Sequence, residues 1–437
     1  MRQFTVGLIM TLSLVARIAA AEDAPKVKRF LTKPLVIEDQ GSFFIGGVPK
    51  VTNYASTPPP NNPTQAPQPN QITIGQMYVQ FEIPQTKKRG MPPVIMVHGS
   101  THTAACLEST PDGREGWYPY FVRKGISTYL VDQAGRGRSG FDESVIHEAG
   151  AMIRAGDVEN GLKLLPGFQR ISDNGAWTAW FGQLDSPGSN ILTAKLVRHG
   201  DPNEPKNDSR RTNDYFPAYP LNSTDPSIAA RTGAIGSAPA GPHDYYALNY
   251  YKELVPNAES TLPGSTCSTC EPKELTPANT WTPMDLALLV EKLGGAVVAT
   301  HSQSGIMGHH LVRILKEHGH LNLLKGLVTI EGSCSLPNSG LKPEDFDNIP
   351  YLALKGDYTP TSEVCQTTVD QLKARRAAGQ GVANAEYIKL DEVGNPVFKG
   401  TTHMMMDGTN NLEVADVILN WADQNIPAKA KGKHTTQ

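Results

Sequence analysis

Nucleophilic acyl chemistry needs a serine made reactive by its setting, and the stretch GGAVVATHSQSGIMGHHL (Gly294–Leu311) offers two serines where a buried strand turns sharply into a helix. In a G-x-S-x-G elbow, the residues two before and two after the nucleophile are small. Strand and helix then crowd together and expose the hydroxyl at a strained turn. Around Ser302 the flanking residues are Thr300 and Ser304; around Ser304 they are Ser302 and Ile306. A branched Ile306 would crowd the helix start, so the pattern favours Ser302. An ordinary strand–turn–helix with a serine N-cap uses the same letters, and this stretch alone leaves both readings open.

A serine nucleophile also needs a base, an acid that orients the base, and two N–H donors for the oxyanion. His403, in GTTHMMMDGTNNLEVADVILNW, sits in a loop before the last helix and is the base candidate. Two carboxylates lie at strand ends, Glu331 after GLVTI and Asp357 after YLALKG, and spacing does not separate them. The segment VHGSTHTAACLEST leaves a strand through a His-Gly pair that turns the backbone tightly. The N–H of Ser100 and that of Gln303, just past the nucleophile, are the oxyanion-hole candidates.

The elements that must position these residues alternate between strands and helices. PPVIMVHGS and ISTYLVDQ are continuous apolar runs, as in central parallel strands buried on both faces. The rhythm resumes at TPMDLALLVEKLGG and continues through AVVATHS, LKGLVTIEGS, IPYLALKGD and NAEYIKLDEVG, with helical segments between. This specifies an α/β fold, a mostly parallel sheet with helices on both faces. Near the start, GSFFIGG reads as a short strand closed by a Gly-Gly turn, and TPPPNNPTQAPQPNQ as an extended surface loop. Between Phe141 and Trp281 the alternation breaks into a Pro-, Gly-, Asn- and aromatic-rich insertion, expected to cap the carboxyl edge of the sheet. The expected organisation is a leader over 1–21, a main α/β domain split into 22–140 and 282–427, a cap over 141–281, and a polar tail over 428–437.

Together these motifs resemble α/β-hydrolase fold esterases, and among them secreted microbial carboxylesterases with glutamate as the triad acid. The resemblance is carried by VIMVHGS, TPDGREGWYPYFVRKGISTYLVDQAGRGRSG, HSQSG and HMMMDGTNNLEVADVILNW, with GSFFIGG and QMYVQFEIP in support. It covers most of the catalytic domain and little of the insertion. It implies Ser302 as nucleophile, His403 as base, Glu331 rather than Asp357 as acid, and no metal or organic cofactor. Two positions depart from the pattern: Thr300 stands where relatives carry an elbow glycine, and Ser100-Thr101 where a relative carries paired cysteines. The same triad with another pocket would serve a lactonase or another acyl or C–C bond hydrolase. A catalytically silent binding protein on the same fold is the reading from another class.

The formal net charge of −3 over 437 residues supplies no basic field for nucleic acid or anionic membrane. The start, MRQFTVGLIMTLSLVARIAAAEDAP, has the positive residue, short apolar run and small cleavage-site residues of a secretory leader, which makes disulfides possible. Of five cysteines, Cys267–Cys270 and Cys334–Cys365 are the expected pairs, leaving Cys106. Asn207 and Asn222 head glycosylation sequons. AGRGRSG lacks the lysine of a phosphate loop and reads as a tight loop, with Asp132 before it bonding turn N–H groups. His309, His310, His318 and His320 are expected on a helix surface and its end, without metal-ligand spacing. Met404–Met406 suit either an acyl pocket or the core, and the insertion's aromatics, Trp177, Trp180 and Phe181 among them, either face substrate or form the cap's own core.

Overall fold

The structure, a computed structural model, describes residues 31, 33–55, 68–168, 170–184, 196–198, 245–256 and 277–426. Ten strands are present among them: β1 (Ile37–Thr52), β2 (Asn70–Pro84), β3 (Val94–Val97), β4 (Thr128–Asp132), β5 (Gly182–Leu184), β6 (Leu196–Arg198), β7 (Ala296–His301), β8 (Leu324–Ile330), β9 (Tyr351–Lys355) and β10 (Ala385–Lys389). Eight form one sheet in the order β1-β2-β4-β3-β7-β8-β9-β10, while β5 and β6 pair separately. β2 runs antiparallel to both β1 and β4. From β4 through β3, β7, β8 and β9 to β10 every pairing is parallel.

The apolar runs explain the layering. Because side chains alternate across a strand, Val94 and Met96 of β3 enter one core with Val297 and Ala299 of β7, whereas Ile95 and Val97 enter the other with Ala296 and Val298. The first core is closed by the helices Trp117–Arg123 and Asn411–Asn425. The second is closed by the helices Pro277–Lys292, Ser304–Glu317 and Glu363–Ala377. Helices therefore cover both faces, and the parallel strands all point their carboxyl ends at one edge.

β1 is longer than its sequence suggests. It passes through Gly46-Gly47, both at positive φ, and runs on to Thr52 instead of turning. A side chain at Gly46 would fall 1.7 Å from Asp285 Oδ1, and one at Gly75 would fall 2.5 Å from the Trp281 ring. The two glycines thus let the helix Pro277–Lys292 lie directly on the β1–β2 pair. That helix starts ahead of Trp281, where the irregular insertion was expected to end.

His309 and His310 are buried, which corrects their expected place on the helix surface. The helix Ser304–Glu317 is enclosed over most of its first turns, and His309 uses both ring nitrogens inside: Nδ1–H donates to Gly305 O and Nε2 accepts from the Tyr351 hydroxyl. His318 and His320 do lie at the exposed helix end, where both donate to Glu291. Cys334 is bonded to Cys365, and Cys106 is a buried free thiol. Cys267, Cys270, Asn207, Asn222, residues 1–21, the tail and most of the expected cap lie outside the described residues. No described helix is long and apolar enough to cross a membrane.

Candidate active site

The site is built where β3, β4, β7, β8 and β9 end. At the exit of β7, Ser302 adopts φ +55°, a backbone region that side chains with a Cβ avoid. Two backbone bonds hold the turn: Ser302 N–H donates to Ile330 O at 2.9 Å, and Gly305 N–H to Ser302 O at 3.0 Å. Ser304 is fully buried; its hydroxyl accepts the His301 N–H (2.9 Å) and lies 3.0 Å from Val97 O, fastening the turn to β3. Ser304 is therefore a structural staple, and Ser302 the serine at the strained position. Thr300, in the place of the elbow glycine, finds its room at Gly308, where a side chain would come within 3.1 Å of the Thr300 methyl. The Thr300 hydroxyl donates to Val328 O on β8.

Glu331 leaves β8 at φ +46° with its side chain wholly buried. His403 Nδ1–H donates to its Oε2 at 2.6 Å, the Thr359 hydroxyl to the same oxygen at 2.5 Å, and Gly356 N–H to Oε1 at 2.5 Å. Asp357, the other carboxylate weighed from the sequence, does not reach His403. It accepts the Gly400 N–H at 2.7 Å and donates its own N–H to Thr401 O, so it fixes the loop that carries the histidine. His301 adds a further hold: its Nε2–H donates to His403 O at 2.9 Å, with the two rings 4.8 Å apart.

The candidate oxyanion loop lies against Ser302. A side chain on Gly99 would fall 2.9 Å from Ser302 Cβ, so only glycine lets β3 exit this close. Ser100 follows, and Thr101 after it is held at φ +55°. Of the four described non-glycine residues with positive φ, three (Thr101, Ser302 and Glu331) sit at strand exits around this one site; the fourth is Phe168. Strain of this kind costs on the order of 1–3 kcal/mol per residue and concentrates where function demands it.

Three side chains around the loop, His98, His102 and Arg136, were not among the site candidates of the sequence, and a fourth, Trp180, stood there only among the aromatics of the insertion. Gln133 N–H donates to His98 Nε2, which leaves His98 Nδ1–H to donate to Gly99 O at 2.9 Å. His102 donates from Nδ1 to Ser100 O at 2.7 Å and accepts the Tyr250 hydroxyl at Nε2. Burial lowers both histidines to a pKa of about 3, and the nearby Arg136 charge pushes the same way. Arg136 itself, from the loop after β4, is 1% exposed and donates to Gly99 O (2.7 Å) and to Gln303 Oε1 (2.5 Å). Trp180 lies nearly parallel to the His403 ring with centroids 6.2 Å apart, and 5.2 Å from His102. Asp132 accepts the Ala104 and Arg138 N–H groups, as its position at a tight loop suggested.

Comparison with known proteins agrees with this architecture. The chain is similar to a solved structure described as a novel bacterial esterase, at 28% identity over 91% of this chain and 99% of that one, with a TM-score of 0.61. This chain has the α/β-hydrolase fold. A curated relative, the probable secreted lipase phiG of a fungal species (strain ATCC 74256), is 24% identical over 79% of this chain and 85% of its own length. Brefeldin A esterase, a bacterial homologue of human hormone sensitive lipase, aligns over 97% of this chain and 87% of its own at 11% identity and a TM-score of 0.36. No family model matches the chain.

On this α/β-hydrolase fold the described part of the insertion is rooted beside the site. Trp177 and Phe181 are buried, Phe181 meets Tyr250 edge-on at 4.6 Å, and these rings join the first core. Trp180, only partly buried, turns instead toward His403. Met404–Met406 are all buried in that same core.

Proposed function

We propose that this protein is a secreted serine hydrolase that cleaves carboxylic esters through Ser302, His403 and Glu331. The observation that carries this reading is the 2.6 Å bond from His403 Nδ1–H to the buried Glu331 carboxylate. With its proton held at Nδ1, the imidazole keeps Nε2 as the basic nitrogen, the one needed to take a serine proton. Ser302 attacks the ester carbonyl as His403 takes its proton. Glu331 stabilises the imidazolium, and the N–H groups of Ser100 and Gln303 receive the oxyanion. Collapse releases the alcohol, protonated by His403, and water activated by the same histidine then hydrolyses the acyl-enzyme. The three residues suffice without a metal or an organic cofactor. The substrate class, a small-molecule ester, is supported by the esterase and lipase relatives. Export is supported by the leader-like start and by the secreted relative.

The test is hydrolysis of a p-nitrophenyl ester series from acetate to long acyl chains, with a lactone panel alongside. Wild type is expected to turn over at least one ester, and Ser302→Ala to lose several orders of magnitude in kcat. Fluorophosphonate labelling of wild type but not of Ser302→Ala is expected in parallel. Equal activity in the two proteins would remove Ser302 from the mechanism. An unlabelled, inactive wild type would leave a binding protein on this fold.

A further inference from the structure

Arg136 is a fully charged type of side chain placed where almost no water reaches it. Among the described residues no carboxylate forms an ion pair with it, and its Nε is buried with no partner. Burial alone lowers its pKa to about 9, so it still carries its charge at neutral pH. An uncompensated buried cation is costly, and its two recorded hydrogen bonds show where the charge is directed. Nη1 donates to the Gly99 carbonyl, and Nη2 to the Gln303 side-chain amide.

Both bonds lead to one place. The Gly99 carbonyl belongs to the peptide whose N–H is that of Ser100. In a trans peptide the C=O and N–H point in opposite directions, and no cis peptide bond is present among the described residues. Arg136 therefore holds the far end of that peptide from its N–H. Gln303 carries the second N–H. We infer that Arg136 is a positioning residue for the oxyanion site, fixing the Gly99–Ser100 peptide plane and the Gln303 residue and polarising the Ser100 N–H through the carbonyl it holds. This rests on the serine-hydrolase reading above.

A charged donor on a carbonyl makes the N–H of the same peptide a stronger donor, because linked hydrogen bonds polarise one another. His98 donates to the same carbonyl, but burial and the Arg136 charge keep its ring neutral, so the positive charge here belongs to Arg136. The benefit grows as negative charge develops on the substrate oxygen. It should appear in the transition state and not in ground-state binding.

The experiment compares Arg136→Met and Arg136→Lys with wild type in the full mature chain, using a p-nitrophenyl ester that wild type hydrolyses. Losing a direct oxyanion donor costs ~10²–10³ in kcat; for an indirect role, Arg136→Met is expected to lose ~30–100-fold in kcat with KM changed less than ~3-fold. Arg136→Lys, which keeps the charge, should recover at least ~5-fold of that loss. A trifluoromethyl ketone, which forms a tetrahedral oxyanion on the nucleophile, should weaken in proportion to kcat/KM, while a non-hydrolysable ether analogue of the ester should bind unchanged. A raised KM at constant kcat, an unchanged ketone affinity, or Lys no better than Met would overturn the inference. If Arg136→Met does not fold, Arg136→Lys and Gln303→Met decide it by the same kcat and ketone comparison: parallel losses support it and wild-type values overturn it. Failure of the triad reading looks different, since Ser302→Ala would then match wild type whatever Arg136 does.

Discussion

Glu331 accepts three hydrogen bonds in a space that water does not enter, and two of the donors, Gly356 N–H and Thr359, come from the loop that also carries Asp357. The two carboxylates thus have separable duties, and substitution should separate them. Glu331→Gln keeps the shape but makes one oxygen an amide that must face a donor, so the preferred tautomer of His403 is lost. We expect kcat to fall ~10²–10⁴-fold, with little change in KM, because the imidazolium loses its counter-charge only as the reaction proceeds. Asp357→Asn can still accept the Gly400 N–H through its amide oxygen, and kcat should stay within ~10-fold of wild type. Steady-state rates on one p-nitrophenyl ester check both, and the reverse ranking would move the acid to the end of β9. At this scale the candidates Ser302 and His403 could be named from the sequence, because a strand–turn–helix elbow and a late-chain loop histidine each leave a mark. Glu331 and Asp357 are both strand-end carboxylates, and only the resemblance favoured Glu331, the one that His403 Nδ1–H meets. Arg136 left no mark. An arginine among glycines looks like a solvated loop residue, and only the three-dimensional approach of β3 and β7 buries it.

The elements follow the same division. Strands such as VIMV and AVVATH announce themselves because burial on both faces demands unbroken apolar side chains. The length of β1 and the burial of His309 and His310 were not legible, since both are decided by what packs on them: Asp285 and Trp281 fill the room the glycines leave, and Tyr351 supplies the partner His309 needs. The Cys334–Cys365 bridge belongs to this scale. It ties the chain three residues past Glu331 to the first turn of the helix Glu363–Ala377, whose N-cap Ser362 accepts the Cys365 N–H. Closing a loop across a sequence separation of 31 residues removes unfolded-state entropy worth about 3–4 kcal/mol on the chain-entropy account. Replacing both cysteines by serine should lower the unfolding free energy by roughly 3 kcal/mol in chemical denaturation. Thermal inactivation should then set in earlier, because the loop after Glu331 loses its tether. Coincident unfolding curves for the two proteins would show that packing alone holds this loop.

For the whole molecule, stability must vary with pH in a way that the formal charge of −3 does not foretell. Three histidines at the site, His98, His102 and His301, are buried and held neutral: burial lowers His98 and His102 to about 3 and takes His301 well below its ordinary value. Below about pH 6.5 the unfolded chain binds protons at these positions and the folded protein does not, so stability falls as the pH drops toward 3. Asp285 works in the opposite direction. Buried under Gly46 with Oδ2 unpaired, its carboxyl is raised from 3.8 to about 8. Between those values the folded protein holds a proton that the unfolded chain has released, so stability declines with rising pH and levels off above about 8. Glu253, which burial raises well above its ordinary value, adds to the decline that Asp285 causes, so the two trends oppose each other across the neutral range. Asp285→Asn removes the Asp285 share of the alkaline limb. It should raise stability on the order of 5 kcal/mol at pH 8, with almost no effect at pH 4, and leave the acid limb in place. Thermal melts of both proteins from pH 4 to 9 measure this directly. Parallel curves for wild type and variant would mean that Asp285 is not held protonated, and that the decline above neutrality, if seen, comes from another group.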